Sequence, residues 1–201
     1  MSITTYAELQ TAVASWLNRS DLTANITDFI TLAEARLSSD VKGRLMDTKT
    51  TLATVVGVNT VTLPTDMLEM RRFQVAGSYN QPLSYRTPDE QSIDFSANSS
   101  GQPIVFTVIG ANAELAPVPD AVYSLELTYR QRIPALSVSN TTNWLLTAWP
   151  NAYLYASLLE AMPFIMNDPR LSMWQALYMQ AVDGINNVDW YSGTTMKVRA
   201  R

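Results

Sequence analysis

The sequence has no cysteine and no histidine. The first absence excludes disulfides, thiolate metal ligands and cysteine nucleophiles. The second removes the commonest general base and the commonest transition-metal ligand. Glycine is scarce, at seven residues, and its scattered positions match neither the phosphate-cradling nor the dinucleotide-binding loop. Serine is plentiful but has no histidine to activate it. Carboxylates are the remaining catalytic currency. Asp89, Glu90 and Asp94 lie close together in a short helical pattern, where acids at a helix start complement the dipole more often than they hold a hard cation. The expectation is a non-enzyme with no cofactor and no metal.

Charge is also sparse. Only 16% of the 201 residues are Asp, Glu, Lys or Arg, while 47% are apolar, which calls for a large core or for a surface that meets another protein. The net charge is −4, from 14 basic against 18 acidic residues, so there is no excess of cations with which to displace counterions from phosphate. Wrapping nucleic acid is not expected on that ground; lining a passage through which DNA slides remains open.

A long uninterrupted hydrophobic run is missing too. Ala152 to Met166 contains only Ser157 and Glu160 as polar breaks, but Pro163 interrupts it and it is too short to cross a bilayer. No membrane role is expected. MSITTYAEL has no charged segment leading into an apolar one, so the chain is expected to be made in a cytoplasm, and the sequons at Asn18, Asn25, Asn98 and Asn140 are read as chance matches.

What is present divides by period. Thr5-Tyr6-Ala7-Glu8 has capping-box spacing, and Tyr6, Leu9, Val13 and Trp16 follow at helical intervals. A second start is expected at Asn25, with Asp28 three residues on and Ile26, Phe29, Ile30, Ala33 and Leu37 on one face. From about Leu45 the period shortens. Strands are expected over 48–56, 58–63, 67–76, 103–109, 112–116 and 122–132, with Tyr123, Leu125, Leu127 and Tyr129 alternating against Ser124, Glu126, Thr128 and Arg130. Arg71-Arg72 and Arg130-Gln131-Arg132 are basic spots within strands, read as a solvated face or as partners of nearby acids. Thr87-Pro88-Asp89-Glu90 opens a short helix through Phe95.

Helix returns after Asn143. One helix is expected from Pro150 to Asn167 and another after Asp168-Pro169, with Leu171, Trp174, Leu177, Tyr178, Ala181, Ile185 and Val188 on one face. The expected class is α+β: a four-helix bundle built from N- and C-terminal helical hairpins, with a central antiparallel β-rich insert. In residue terms, 1–43 with 143–190 form the bundle, 44–135 the insert and 191–201 an arm. Trp16, Phe29, Leu154, Leu158, Phe164, Trp174 and Tyr178 are the expected anchors of bundle or subunit packing. The apolar run at 152–166 can be covered by neighbouring helices on one stripe and by a second subunit on another. The tail YSGTTMKVRAR has lost periodicity and carries Lys197, Arg199 and Arg201; it is either a disordered end or an arm that orders on an acidic partner.

Four segments carry a resemblance. TYAELQTAVASWLNRSDLTANITDFITLAEARLSSDVKGR, LPTDMLEMRRF, YRQRIPALS and TNWLLTAWPNAYLYASLLEAMPFIMNDPRLSMWQALYMQAV resemble, in order and spacing, the tail adaptor (head-to-tail connector) proteins of short-tailed bacteriophages. WLNRSDL with FITLAEARL, and NWLL with NAYLYASLLEA and NDPR, are its most specific pieces. Ser38-Ser39-Asp40 departs from the basic residues usual there. The resemblance implies a ring of twelve subunits beneath the portal that extends the DNA channel, passes double-stranded DNA transiently and gives tail or nozzle proteins a surface to attach to. It implies location in the virion neck, with host cytoplasm before assembly. It also implies a portal-binding arm at Met196, Lys197, Val198, Arg199, Ala200 and Arg201. The alternative is a tail-associated binding module whose β insert recognises a partner or receptor.

Overall fold

The computed structural model describes residues 3–19, 21–77, 81–95, 99–165 and 169–188. Among them, in chain order, are α1 (Tyr6–Leu17), α2 (Ile26–Asp40), β1 (Asp47–Ala53), β2 (Thr60–Thr62), β3 (Met67–Val75), β4 (Gln81–Pro82), β5 (Ser84–Tyr85), α3 (Pro88–Asp94), β6 (Val105–Ile109), β7 (Asn112–Ala116), β8 (Ser124–Gln131), α4 (Trp144–Ala148), α5 (Pro150–Glu160), α6 (Met162–Ile165) and α7 (Leu171–Val188). The class is mixed α+β. Backbone contacts separate two compact units, Met1–Arg44 with Ile133–Arg201, and Leu45–Arg132.

The first unit is helical, and its helices begin where side chains can hold the free amides of a first turn. The Thr5 hydroxyl accepts from the Glu8 amide while the Glu8 carboxylate accepts from the Thr5 amide at 3.1 Å, closing the box at the start of α1. Asn143 does the same for α4, its side chain accepting from the Leu146 amide at 2.8 Å. The start expected at Asn25 differs. A 3-10 turn over Thr23–Asn25 runs straight into α2, so Asn25 already has helical backbone angles and its side chain makes no cap; a capping residue needs an extended backbone. The helix expected to run on from Pro150 also stops short, at Glu160, with α6 as a separate turn. Pro163 explains this: it has no N–H for the Leu159 carbonyl, and its ring would press on that carbonyl.

Within this unit α5 is the common partner of α1, α2, α4 and α7. Ala152, Tyr153, Leu154, Ala156, Ser157, Leu158 and Leu159 are all buried, so the helix is covered over most of its circumference by its own chain. Two clips fasten α7. Arg170 donates to the Trp16 carbonyl at 3.1 Å, and near the far end Asn186 donates to the Asp40 carbonyl at 3.1 Å and accepts from the Lys42 amide at 2.8 Å.

The second unit is a sandwich of two four-stranded sheets, ordered β1-β8-β3-β4 and β2-β7-β6-β5. Phe73, Val75, Leu125, Leu127 and Tyr129 of the first sheet and Val61, Phe106, Ala113 and Leu115 of the second make one core. Alternation along β8 survives intact, with Leu125, Leu127 and Tyr129 turned inward. On the outer side Lys49 pairs with Glu126 at 2.8 Å, and Gln74 donates to the same carboxylate. Arg71 reaches Glu69 and Asp47. Gly110, with φ of +61°, opens the two-residue turn joining β6 to β7, a backbone region that costs other residues strain.

The insert was expected to be wholly antiparallel, and here the structure corrects the reading. β5 pairs with β6 in parallel, because α3 lies between them as a crossover. β5 has only two residues, too few to leave a periodic signal. The expected strand at 48–56 ends at Ala53, since Val55 to Val58 fold into a turn closed by the Val58 amide on the Val55 carbonyl. β3 is interrupted by register shifts after Met67 and after Met70.

Candidate assembly site

The seven expected packing residues fall into two sets. Phe29, Leu154, Leu158, Trp174 and Tyr178 are buried inside the helical unit. Trp16 and Phe164 stay 41% and 53% exposed. Each exposed ring rests on a partner from its own chain, Trp16 edge-on to Tyr155 at 5.9 Å and Phe164 beside Phe29 at 5.0 Å, so one side is packed and the other is open. Leu32, Leu171, Met173 and Met179 are further apolar side chains exposed on the same unit. The expected arm, Met196 to Arg201, lies outside the described residues.

A buried polar network escaped sequence reading. Glu34 is 7% exposed; its carboxylate accepts from the Leu136 amide at 2.7 Å and from the Tyr153 hydroxyl at 3.4 Å. Asn143 donates to that hydroxyl at 2.6 Å and to the Pro134 carbonyl at 2.8 Å. The network ties the segment from Ile133 to Asn143, which has no regular structure, onto α2 and α5. Burial pushes the Glu34 carboxyl up to about 7, against the opposing pull of the Leu136 and Tyr153 hydrogen bonds. It also raises the Tyr153 phenol well above the ordinary range. A signal did exist: Glu34 falls four residues after Ile30 and three before Leu37, on the apolar stripe of α2.

A second cluster joins α2 to α5 and α7. Tyr178 donates to Asp40 at 2.6 Å, Arg36 pairs with Glu160 at 2.7 Å, and the Arg36 guanidinium sits 5.9 Å from the Tyr178 ring centre. Burial first, and then the bond to Asp40, holds the Tyr178 phenol far above its usual value. These contacts are cross-braces, and Arg36, Asp40 and Tyr178 also line a surface cavity of about 480 Å³ with Leu159 and Gln175.

Asp89 and Glu90 lie in the first turn of α3, as the helix-start reading expects, whereas Asp94 is its last residue. Glu90 accepts from the Thr87 amide at 3.1 Å, which lowers its pKa. Among the described residues no group of three or more acids is placed to hold a metal ion. Ser39 and Lys42 share a Ser-x-x-Lys spacing, but both are exposed to solvent at the end of α2 rather than gathered in a cleft.

The sequence profile of the SU10 adaptor protein family matches residues 4–199, across both units. The chain belongs to the SU10 adaptor protein family. Membership is consistent with a phage head-to-tail adaptor, as the four segments had implied, and makes the protein a structural one by family. A comparison with curated proteins gave no match. Among the adaptor's described residues no helix is long and apolar enough to cross a membrane.

Proposed function

We propose that the protein is the head-to-tail adaptor of a short-tailed phage, acting by assembly and not by catalysis. Twelve copies form a ring beneath the portal in the virion neck, extend the DNA channel and present a surface to tail or nozzle proteins. The observation that carries this reading is the family match over 4–199, which takes in the helical unit and the β-rich unit together. The terminal hairpins serve as a four-helix scaffold in which α5 is sealed by its own chain. Ring contacts then fall to side chains still open on that scaffold, Trp16, Leu32 and Phe164 among them. Closed rotational symmetry lets one heterologous contact repeat around the ring without leaving a free end. A net charge of −4 suits a channel through which DNA must pass without adhering. Met196 to Arg201, with its three cations, is the segment assigned to the portal.

The test is negative-stain electron microscopy of the purified protein mixed with its portal. The expected result is a second ring seated on the portal ring. Free protein beside bare portal would defeat the proposal.

A further inference from the structure

The sandwich leaves an apolar feature open at each of its side edges. β1 and β2 stand first in the two sheet orders and are joined by residues 54–59, while β4 and β5 stand last and are joined by Leu83 alone. The two links therefore lie at opposite edges of the β-rich unit.

The first link is a tight turn. The Val58 amide donates to the Val55 carbonyl at 3.0 Å, and Gly57, with φ of +75°, fills the third position, where a side chain would be strained. The Gly57 amide donates to the Pro119 carbonyl at 2.9 Å, and the Thr54 hydroxyl donates to the Ala121 carbonyl and accepts from the Tyr123 amide. These bonds brace the turn against the segment that leads into β8. Its apolar side chains nonetheless point into solvent: Val56 is 56% exposed and the neighbouring Val122 69%. No residue of 54–59 or 121–123 is charged, and the exposed Asp120 stands beside them. A braced apolar projection of this kind loses little freedom on docking.

The opposite edge carries a complement. With two residues each, β4 and β5 reach only Phe73 to Val75 of β3 and Val105 to Phe106 of β6. Beyond them the sandwich gapes. Val108 shares the inner face with Phe106, two residues before it, yet is 38% exposed where Phe106 is 6%. The gap is a cavity of about 490 Å³, with buried Phe73, Leu83 and Phe106 at its base and Met70, Tyr85 and Val108 at its mouth. Its charged lining residues, among those described, are Arg71 and Arg72. A cavity of about 150 Å³ already accepts benzene, so this one has room for two valine side chains.

We propose that the valine turn of one copy docks in the edge cavity of the next. Val55 and Val56 enter between Tyr85 and Val108, and Asp120 approaches the arginine side of the mouth, which is opposite in charge. One chain supplies both halves, and because they lie on opposite edges no copy can fill its own cavity. Copies side by side bring each turn to the next cavity, a heterologous contact that repeats in one direction. The contact rests on these two surfaces; that the series closes into a ring on the portal rests on the adaptor reading.

The natural chain has no cysteine, so introduced thiols report on one contact. Full-length V56C and V108C are mixed with portal and treated with bismaleimidoethane. The mixed pair is expected as the main cross-linked product, with little from either variant alone, and a chain carrying both substitutions is expected to give a ladder of multimers. V56D, with thermal melting unchanged, is expected to raise the concentration needed to fill the portal about tenfold. A ring that forms without the mixed product overturns the contact, as does a V56D variant that assembles like the parent; the turn then belongs to a tail or nozzle protein. If the mixed product forms but no ring seats on the portal, the contact stands and the adaptor reading fails. If neither forms, both fail.

Discussion

The helical unit draws on both ends of the chain, whereas the β-rich unit comes from one continuous segment, residues 45–132. Each unit also buries polar groups, and each leaves some without a partner, the Trp174 Nε1 in the helical unit among them. In the helical unit Glu34, Tyr153 and Asn143 satisfy one another and two backbone groups of the Ile133–Asn143 segment. In the β-rich unit Gln91 and Thr107 are buried against a cavity without partners. The Glu34 network fixes the shape of its own unit. The helical unit is held by contacts between the two ends of the chain, and the β-rich unit by strand pairings within one stretch.

The largest effect should come from cutting the chain where the units divide. Asp47 on β1 pairs with Arg130 on β8, so the two ends of the segment 45–132 emerge side by side. Expressed alone, that segment is expected to unfold cooperatively on its own core. With a short glycine-serine linker in its place, the helical unit is expected to keep its far-ultraviolet helical signal. Removing residues 1–44 should abolish that signal, because α5 would lose α1 and α2. A central segment that stays unfolded alone would break the comparison.

Next in size are core truncations. Trp174→Ala in the helical unit and Phe73→Ala in the sandwich remove buried rings, and each should cost about 3–5 kcal/mol. Denaturant unfolding followed by amide NMR should show each loss chiefly in its own unit.

Glu34 sharpens the contrast through pH. Its folded pKa, about 7, stands above the ordinary carboxylate value of 4.5, so the folded state holds the proton more tightly than the unfolded one. Stability is therefore greatest below about pH 4.5 as far as this group is concerned, and falls as pH rises through 7, by roughly 3 kcal/mol in all. Glu34→Gln keeps an acceptor for the Leu136 amide and removes the charge. The variant is expected to lose that decline and to be more stable than the parent at pH 8. An unchanged pH profile would mean that Glu34 is not desolvated as described. The smallest effect is at the caps: Thr5→Ala should lower stability by about 1 kcal/mol in urea titration, without changing the fold.

Local features were readable in the sequence where a few neighbouring residues decide them. Thr5 with Glu8 and Thr87 with Glu90 each form the box their spacing announces, and β8 keeps its alternation. Asn25 looked the same on paper. It failed because the preceding turn had already set its backbone, which spacing does not record. The parallel pairing of β5 with β6 was hidden by the brevity of β5. Glu34 lies on the apolar stripe of α2, but its partners come from the Ile133–Asn143 segment and α5, which no local window contains. Gln91, Thr107 and Glu114 are brought together only by a crossover and a strand pairing, so no sequence window contains their relationship. Trp16 and Phe164 were legible as large apolar residues, but their open sides were not.

The central claim is that open side chains on a self-contained helical scaffold are completed by neighbouring copies on a portal. Native mass spectrometry of the portal mixed with this protein tests it most directly. The expected result is one added ring of twelve copies per portal. A portal whose mass is unchanged, with the protein remaining apart in solution, would contradict it.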